Sequence, residues 1–204
     1  MKLVNEGGLR ITGTKWNHNY DAEIIARFDL RARSSKFQCI KRCHWYPPEK
    51  GFVMFCCDGS SFGNPGSAGF GVVVRDPDCQ VIATLVGGIG IASNYLAETY
   101  GMCAMELAVE WNMQNIIIVS DSKTVISEFV EGNFPWFIKG RWLKAMKRFN
   151  QIKFLHYNRE VNFSADNVAK KGASLASGNK LVHIGRPQFL LIVEMPDVIY
   201  YRFC

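Results

Sequence analysis

The chain has 204 residues, of which 48% are hydrophobic and 21% charged, with a net charge of +6. That length supports one sizeable core with about fifty residues to spare, and the composition excludes a collagen-like, low-complexity or disordered chain. The longest strongly apolar runs, such as FLLIV at 189–193, are far too short to span a membrane.

Met1 opens a mixed polar stretch, MKLVNEGGLRITG, with no apolar h-region, so no secretory signal is expected. Seven cysteines make an odd count without the spacing of a disulfide framework. They read as reduced thiols of an intracellular chain, with nucleus and cytoplasm both open. Cys39, Cys43 and His44 lack a fourth zinc ligand at a plausible spacing.

Residues 1–44 show no convincing apolar periodicity, although DAEIIARFDLRAR suits a short helix; they read as an appendage, the remnant of an upstream region. WYPPEKG at 45–51 marks a boundary, because two prolines fix an extended path and Gly51 then releases it. FVMFCCD follows as a buried strand ending at Asp58. A glycine-rich loop leads to SAGFGVVVRD, and the turn-prone DPD leads to CQVIATLVGG, completing an antiparallel meander. From Asn94 to Trp111 the apolar residues Leu96, Tyr100, Ala104, Leu107 and Trp111 keep helical spacing, with Ser93 and Asn94 able to cap. Glu98 is expected in the first turn of that helix.

NIIIVSD is a continuous apolar strand, of the kind buried on both faces of a parallel sheet, and Asp121 ends it. Ser122–Val130 resumes a helix that Gly132 stops. Phe134–Phe149 is a further helical stretch, IKFLHYN a fifth strand, and NFSADNVAKKGASLA a last helix opened by Asp166. The fold class is therefore α/β, a five-stranded mixed sheet in the order βββ-α-β-α-α-β-α flanked by helices. The expected boundaries are 1–44 for the appendage, 45–176 for the domain and 177–204 for a C-terminal extension that packs as a strand or hairpin.

Four acids stand at the ends or edges of apolar runs: Asp58, Glu98, Asp121 and Asp166. Singly, each has a local explanation as a turn residue, a helix cap or a first-turn acid. If the first and fourth strands are neighbours, however, Asp58 and Asp121 emerge side by side, and the two helix-borne acids reach the same point. Such close carboxylates repel and need a compensating partner. A hard divalent cation suits oxygen ligands, and two such ions about 4 Å apart cleave phosphodiesters by in-line displacement.

The charge is also segregated. Residues 1–50 carry +5, residues 51–132 carry −7 and residues 133–172 carry +7, an acidic middle between basic arms that fits a metal-loaded site gripping a polyanion.

From Trp45 to about Ala176 the chain resembles the ribonuclease H domain, especially the plant reverse-transcriptase-associated, non-LTR retroelement-like form. The carriers are WYPPEKG, DGSSFGNPG, SNYLAE, DSK and HYNREVNFSADNVAK, in that order. The resemblance implies an RNA–DNA hybrid ribonuclease, a divalent-metal-dependent endonuclease cleaving the RNA strand and leaving 5′-phosphate and 3′-hydroxyl ends. It implies two Mg²⁺ ions, with Mn²⁺ an alternative, held by Asp58, Glu98, Asp121 and Asp166. In the family the first aspartate bridges both ions, the last serves the ion that activates water, and the middle two hold the other.

His156, ten residues before Asp166, matches a mobile histidine that assists proton handling or product release. Gly59, Ser60, Asn64 and Asn94 match contacts to the hybrid backbone and minor groove. Lys123 stands where bacterial-type enzymes carry glutamine, and reads as a phosphate contact or as a charge that partly neutralises the metal site. The separate basic handle of some members is replaced by FPWFIKGRWLKAMKRF, whose aromatics read as core and whose cations in part as backbone contacts. The implied partner is an RNA–DNA hybrid, with no membrane, and the expected state is a monomer. The alternative reading is a non-catalytic nucleic-acid-binding or interaction module derived from such a domain. An enzyme of the wider fold, as integrases and resolvases are, fits the NPG loop and histidine spacing less well.

Overall fold

Pairing of apolar strands builds the frame. A computed structural model describes Glu23, Arg27, residues 39–102 and residues 104–203. Residues 41–202 form one compact unit, distinct from a second that comprises residues 1–40 with 203–204. The helix expected around DAEIIARFDLRAR falls, but for two residues, outside the described part.

The first strand, β1 (Ile40–His44), pairs with the last, β8 (Ile199–Phe203), as a separate two-stranded sheet. The main sheet contains β2 (Val53–Gly63), β3 (Gly66–Arg75), β4 (Val81–Ala92), β5 (Asn115–Ser120), β6 (Gln151–His156) and β7 (Lys180–Ile184), in the spatial order β6-β5-β2-β3-β4-β7. The meander β2-β3-β4 is antiparallel, whereas β5 joins β2, and β6 joins β5, in parallel. The five expected strands are thus contiguous. The C-terminal segment adds a sixth, with β7 antiparallel to β4.

The glycine-rich stretch departs from expectation. It is strand rather than loop, because β2 stays paired with β3 as far as Gly63 opposite Gly66, five residues beyond Asp58. The turn shrinks to Asn64 and Pro65, joined by a cis peptide bond.

One face of the sheet is covered by α1 (Asn94–Gly101), α2 (Ala104–Glu110), α3 (Lys123–Glu131) and α4 (Trp136–Met146). Alternation along the strands sends Phe55, Phe70, Val72, Val74 and Leu85 into this core, where Trp142 meets Phe129 edge-on with ring centroids 4.5 Å apart. Helices α1 and α2 lie on either side of residue 103, which is outside the described residues. Gly132, at φ 76°, closes α3 as expected.

The other face carries α5 (Phe163–Gly172), preceded by a 3₁₀ turn at Arg159–Val161, together with Trp45, Leu190 and Val193. Helix α5 lies very close to the sheet, since a Cβ on Gly71 would fall 2.2 Å from the backbone nitrogen of Ala169. No helix among the described residues is long and apolar enough to cross a membrane.

Candidate active site

The parallel register of β2 and β5 brings the first two acids together. Cys56 stands opposite Val119, so two residues further along Asp58 lies beside Asp121. Glu98 arrives from α1, which starts at Ser93, whose side chain accepts the N–H of Leu96. It stands fifth in the helix and not in its first turn as expected. Helix α1 can approach this closely because residue 59 has no side chain. A Cβ there would lie 2.0 Å from the backbone nitrogen of Glu98 and 2.2 Å from the carbonyl carbon of Ala97.

Gly59→Ala is accordingly expected to lower stability by about 2 kcal/mol, the scale of overpacking a filled site. Thermal denaturation beside the parent protein checks it. A variant as stable as the parent would show that α1 can retreat freely.

Asp58, Glu98 and Asp121 each present a carboxylate oxygen within 4.8 Å of the others. Asp58 is 4% and Glu98 8% exposed. Burial pushes the Asp58 carboxyl up to about 10, helped by the neighbouring charges of Glu98, Asp121 and Asp166. Burial likewise raises Glu98 to about 8, with Asp121 adding to the effect and a hydrogen bond from the Gly59 backbone opposing it. Glu98 Oε2 and Asp121 Oδ1 are buried without a hydrogen-bond partner. Hard oxygen donors, mutual repulsion and orphaned acceptors at one point are what a divalent cation would satisfy. Among the described residues this is the one group of three or more His, Cys, Asp or Glu side chains that comes this close together; the Cys43 thiol accepts from the Asn158 amide.

Asp166 stands apart from this triad. Its Oδ1 accepts from Arg159 at 3.0 Å and its Oδ2 from Lys170 at 2.5 Å. The Asp166 charge, followed by those of Asp121 and Asp58, raises the pKa of Arg159 against the opposing effect of burial. All four acids nevertheless line one cleft of about 310 Å³, together with Gly59, Ser60, Ser61, Phe62, Asn94, Arg159 and Lys170.

Residues 56–172 match the family described as "Reverse transcriptase-like". The chain belongs to this family of ribonuclease H domains. It is 36% identical over 141 residues to a bifunctional protein of Mycobacterium tuberculosis, a match covering 61% of this chain and 36% of that protein. The chain thus spans about a third of the length of its mycobacterial relatives. A ribonuclease H of Tropheryma whipplei is 27% identical over 155 residues, 66% of this chain and 92% of the relative. Among solved structures, the N-terminal RNase H domain of the M. tuberculosis protein superposes with a TM-score of 0.55 at 30% identity, covering 60% of this chain and 99% of that one. The LC11 RNase H1, solved with an RNA/DNA hybrid, gives 0.50 at 25% identity, over 60% and 95% of the two chains.

Within this ribonuclease H fold, the sequence-derived site residues divide. Gly59, Ser60 and Asn94 line the cleft with the four acids. Asn64 acts one step behind, its side-chain oxygen accepting the backbone N–H of Asn94 at 3.1 Å. Lys123 is exposed at the start of α3 and His156 is exposed at the end of β6, and neither lines the cleft. His156 Nε2 lies 3.1 Å from the backbone oxygen of Asp121.

In the basic stretch, Trp142 is core as expected, but Trp136 is 86% exposed. It opens α4 directly after Pro135, ahead of the helix's buried stripe of Ile138, Trp142 and Ala145. Arg141 is engaged in a two-pronged pair with Glu106. The two cations on Asp166 were missed from sequence. Lys170, four residues on along one helix face, was legible; Arg159, on the preceding turn, was not.

Proposed function

We propose that this domain is a divalent-metal-dependent endonuclease that hydrolyses the RNA strand of RNA–DNA hybrids. The observation that carries the reading is the buried triad Asp58, Glu98 and Asp121, which holds two unsatisfied acceptor oxygens and lines one cleft with Asp166. The hybrid-bound LC11 relative supports the choice of nucleic acid. Asp58, Glu98, Asp121 and Asp166 would hold two Mg²⁺ ions, or Mn²⁺ in their place. Such ions supply an activated water and stabilise the departing 3′-oxygen.

The chain's own residues do the rest. Gly59 and Ser60 offer main chain and a small hydroxyl to a wide minor groove, where 2′-hydroxyls distinguish RNA from DNA. Asn94, steadied through Asn64, lines the same cleft. Arg159 and Lys170 bring positive charge to the same cleft, where it would meet a phosphate backbone. His156, whose Nε2 lies 3.1 Å from the Asp121 backbone oxygen, would serve as an auxiliary proton carrier, and the exposed Lys123 as a backbone contact.

The test is cleavage of a strand-labelled hybrid by the purified protein in Mg²⁺ and in EDTA, beside single-stranded RNA and duplex DNA. Mg²⁺-dependent cutting confined to the RNA strand of the hybrid is expected. One observation favours the alternative, a binding module that does not cut: Asp166 is held by two cations of its own chain. Hybrid retained without cleavage in either Mg²⁺ or Mn²⁺ would establish that reading instead.

A further inference from the structure

Helix α5 begins in an unusual way. Its first-turn N–H groups have no acceptors within the helix, and Asn162, which occupies the capping position, makes no side-chain cap bond. Its amide donates instead to the carbonyl of Cys57, beside Asp58, at 3.0 Å. The missing cap comes from far along the chain. Glu194 Oε1 accepts the backbone N–H of Ser164 at 2.7 Å, and its Oε2 accepts the Ser164 hydroxyl at 2.6 Å.

Glu194 is 1% exposed and is itself held by Arg75, which is fully buried at the end of β3. Arg75 Nη2 donates to the backbone oxygens of Glu194 at 3.0 Å and Cys79 at 2.8 Å, and its guanidinium lies 4.3 Å from the Trp45 ring centroid. Glu194 falls outside the family-matched residues 56–172. The same C-terminal segment reaches the loop before α5, where Arg202 donates to Asn158 at 2.9 Å.

We infer that Glu194 is a positioning residue for Asp166, fixing the first turn of α5 through Ser164 and so holding the fourth acid at the cleft. Ser164 lies two residues before Asp166 in that turn. The turn is pinned on one side to β2 next to Asp58 and on the other to a side chain locked by β3. Release of the Glu194 side leaves Asp166 to the exposed cations Arg159 and Lys170. The C-terminal extension thereby belongs to the working site. This rests on the metal-dependent reading above, but its main readout is metal binding without nucleic acid.

Glu194→Ala would strand the Arg75 guanidinium and threaten the fold itself, so Ser164→Ala carries the test in the full chain, with Glu194→Gln beside it. Mn²⁺ affinity by calorimetry is expected to fall about tenfold in Ser164→Ala, the scale seen when a partner behind a metal ligand is lost. Its melting temperature in EDTA should fall by only a few degrees, the scale of one buried hydrogen bond lost. The Mg²⁺ concentration giving half-maximal hybrid cleavage should rise by about the same factor, with kcat at saturating Mg²⁺ nearly kept. In an Asp166→Asn background, Ser164→Ala should add no further loss. A Ser164→Ala protein with a lowered melting temperature but unaltered Mn²⁺ affinity and Mg²⁺ dependence would reduce the contact to a structural one and overturn the proposal. So would a loss that persists without Asp166. If the parent protein takes up no Mn²⁺, the metal reading falls and this proposal with it. A parent that binds and cuts while Ser164→Ala matches it defeats the proposal alone.

Discussion

Asp58→Asn is expected to lower cleavage of the hybrid's RNA strand by at least about 1,000-fold, equivalent to roughly 4 kcal/mol of lost transition-state stabilisation. Asp58 is the acid that both neighbouring elements converge on. It lies beside Asp121 through the strand register and beside Glu98 through the close approach of α1 over Gly59. Asparagine keeps the shape and one acceptor oxygen but removes the charge, so packing around β2 has no reason to change. The unliganded fold should in fact gain, because the largest influence on the Asp58 carboxyl is the burial that penalises its ionised form. The expected pattern is therefore a protein that melts at or above the parent temperature in EDTA, gains little from Mg²⁺ and does not cut. A variant that cleaves normally would sink the metal mechanism. One that unfolds would show the Asp58 carboxylate to be structural.

The site's raw materials were legible because strands and helices leave periodic traces. The apolar runs ending at Asp58 and Asp121, and the helical spacing around Glu98, suffice to place three acids at one edge once β2 and β5 are neighbours. Periodicity is silent about where pairing stops. Residues 59–63 are rich in small side chains and read as loop, yet their backbone stays in register with β3. It is equally silent about contacts between residues far apart in the chain. Nothing in the spacing links Glu194 to Ser164, thirty residues away, or to Arg75, whose burial the sequence gives no cause to expect. The short apolar run at 180–184 suits a strand, but only its pairing with β4 shows that it extends the main sheet. Trp136 and Trp142 belong to one stretch of interleaved aromatics and cations; their opposite fates depend on which side of α4 faces Phe129.

The unliganded protein should grow less stable as pH rises, and Mg²⁺ should reverse the trend. Glu98 and Asp58 have folded-state pKa values raised to about 8 and about 10, above the ordinary carboxylate values near 4 of an unfolded chain. A group whose folded pKa is raised binds its proton more tightly in the native state. The stability this contributes is complete below about pH 4 and is lost as pH climbs through the folded values. Deprotonation then accumulates buried negative charge between β2, β5 and α1, where Glu98 Oε2 and Asp121 Oδ1 lack any hydrogen-bond partner. In EDTA the melting temperature is expected to drop by about 5–10 °C between pH 5 and pH 9, corresponding to a few kcal/mol for a chain of this size. A cation that binds only the native, deprotonated site stabilises by mass action, so the Mg²⁺-induced rise in melting temperature should be small at pH 5 and largest at pH 9. Scanning calorimetry across that range, with and without Mg²⁺, separates the possibilities. A melting temperature that is flat with pH would mean the carboxylates are solvated rather than buried. A Mg²⁺ increment that is independent of pH would mean the ion binds away from the triad.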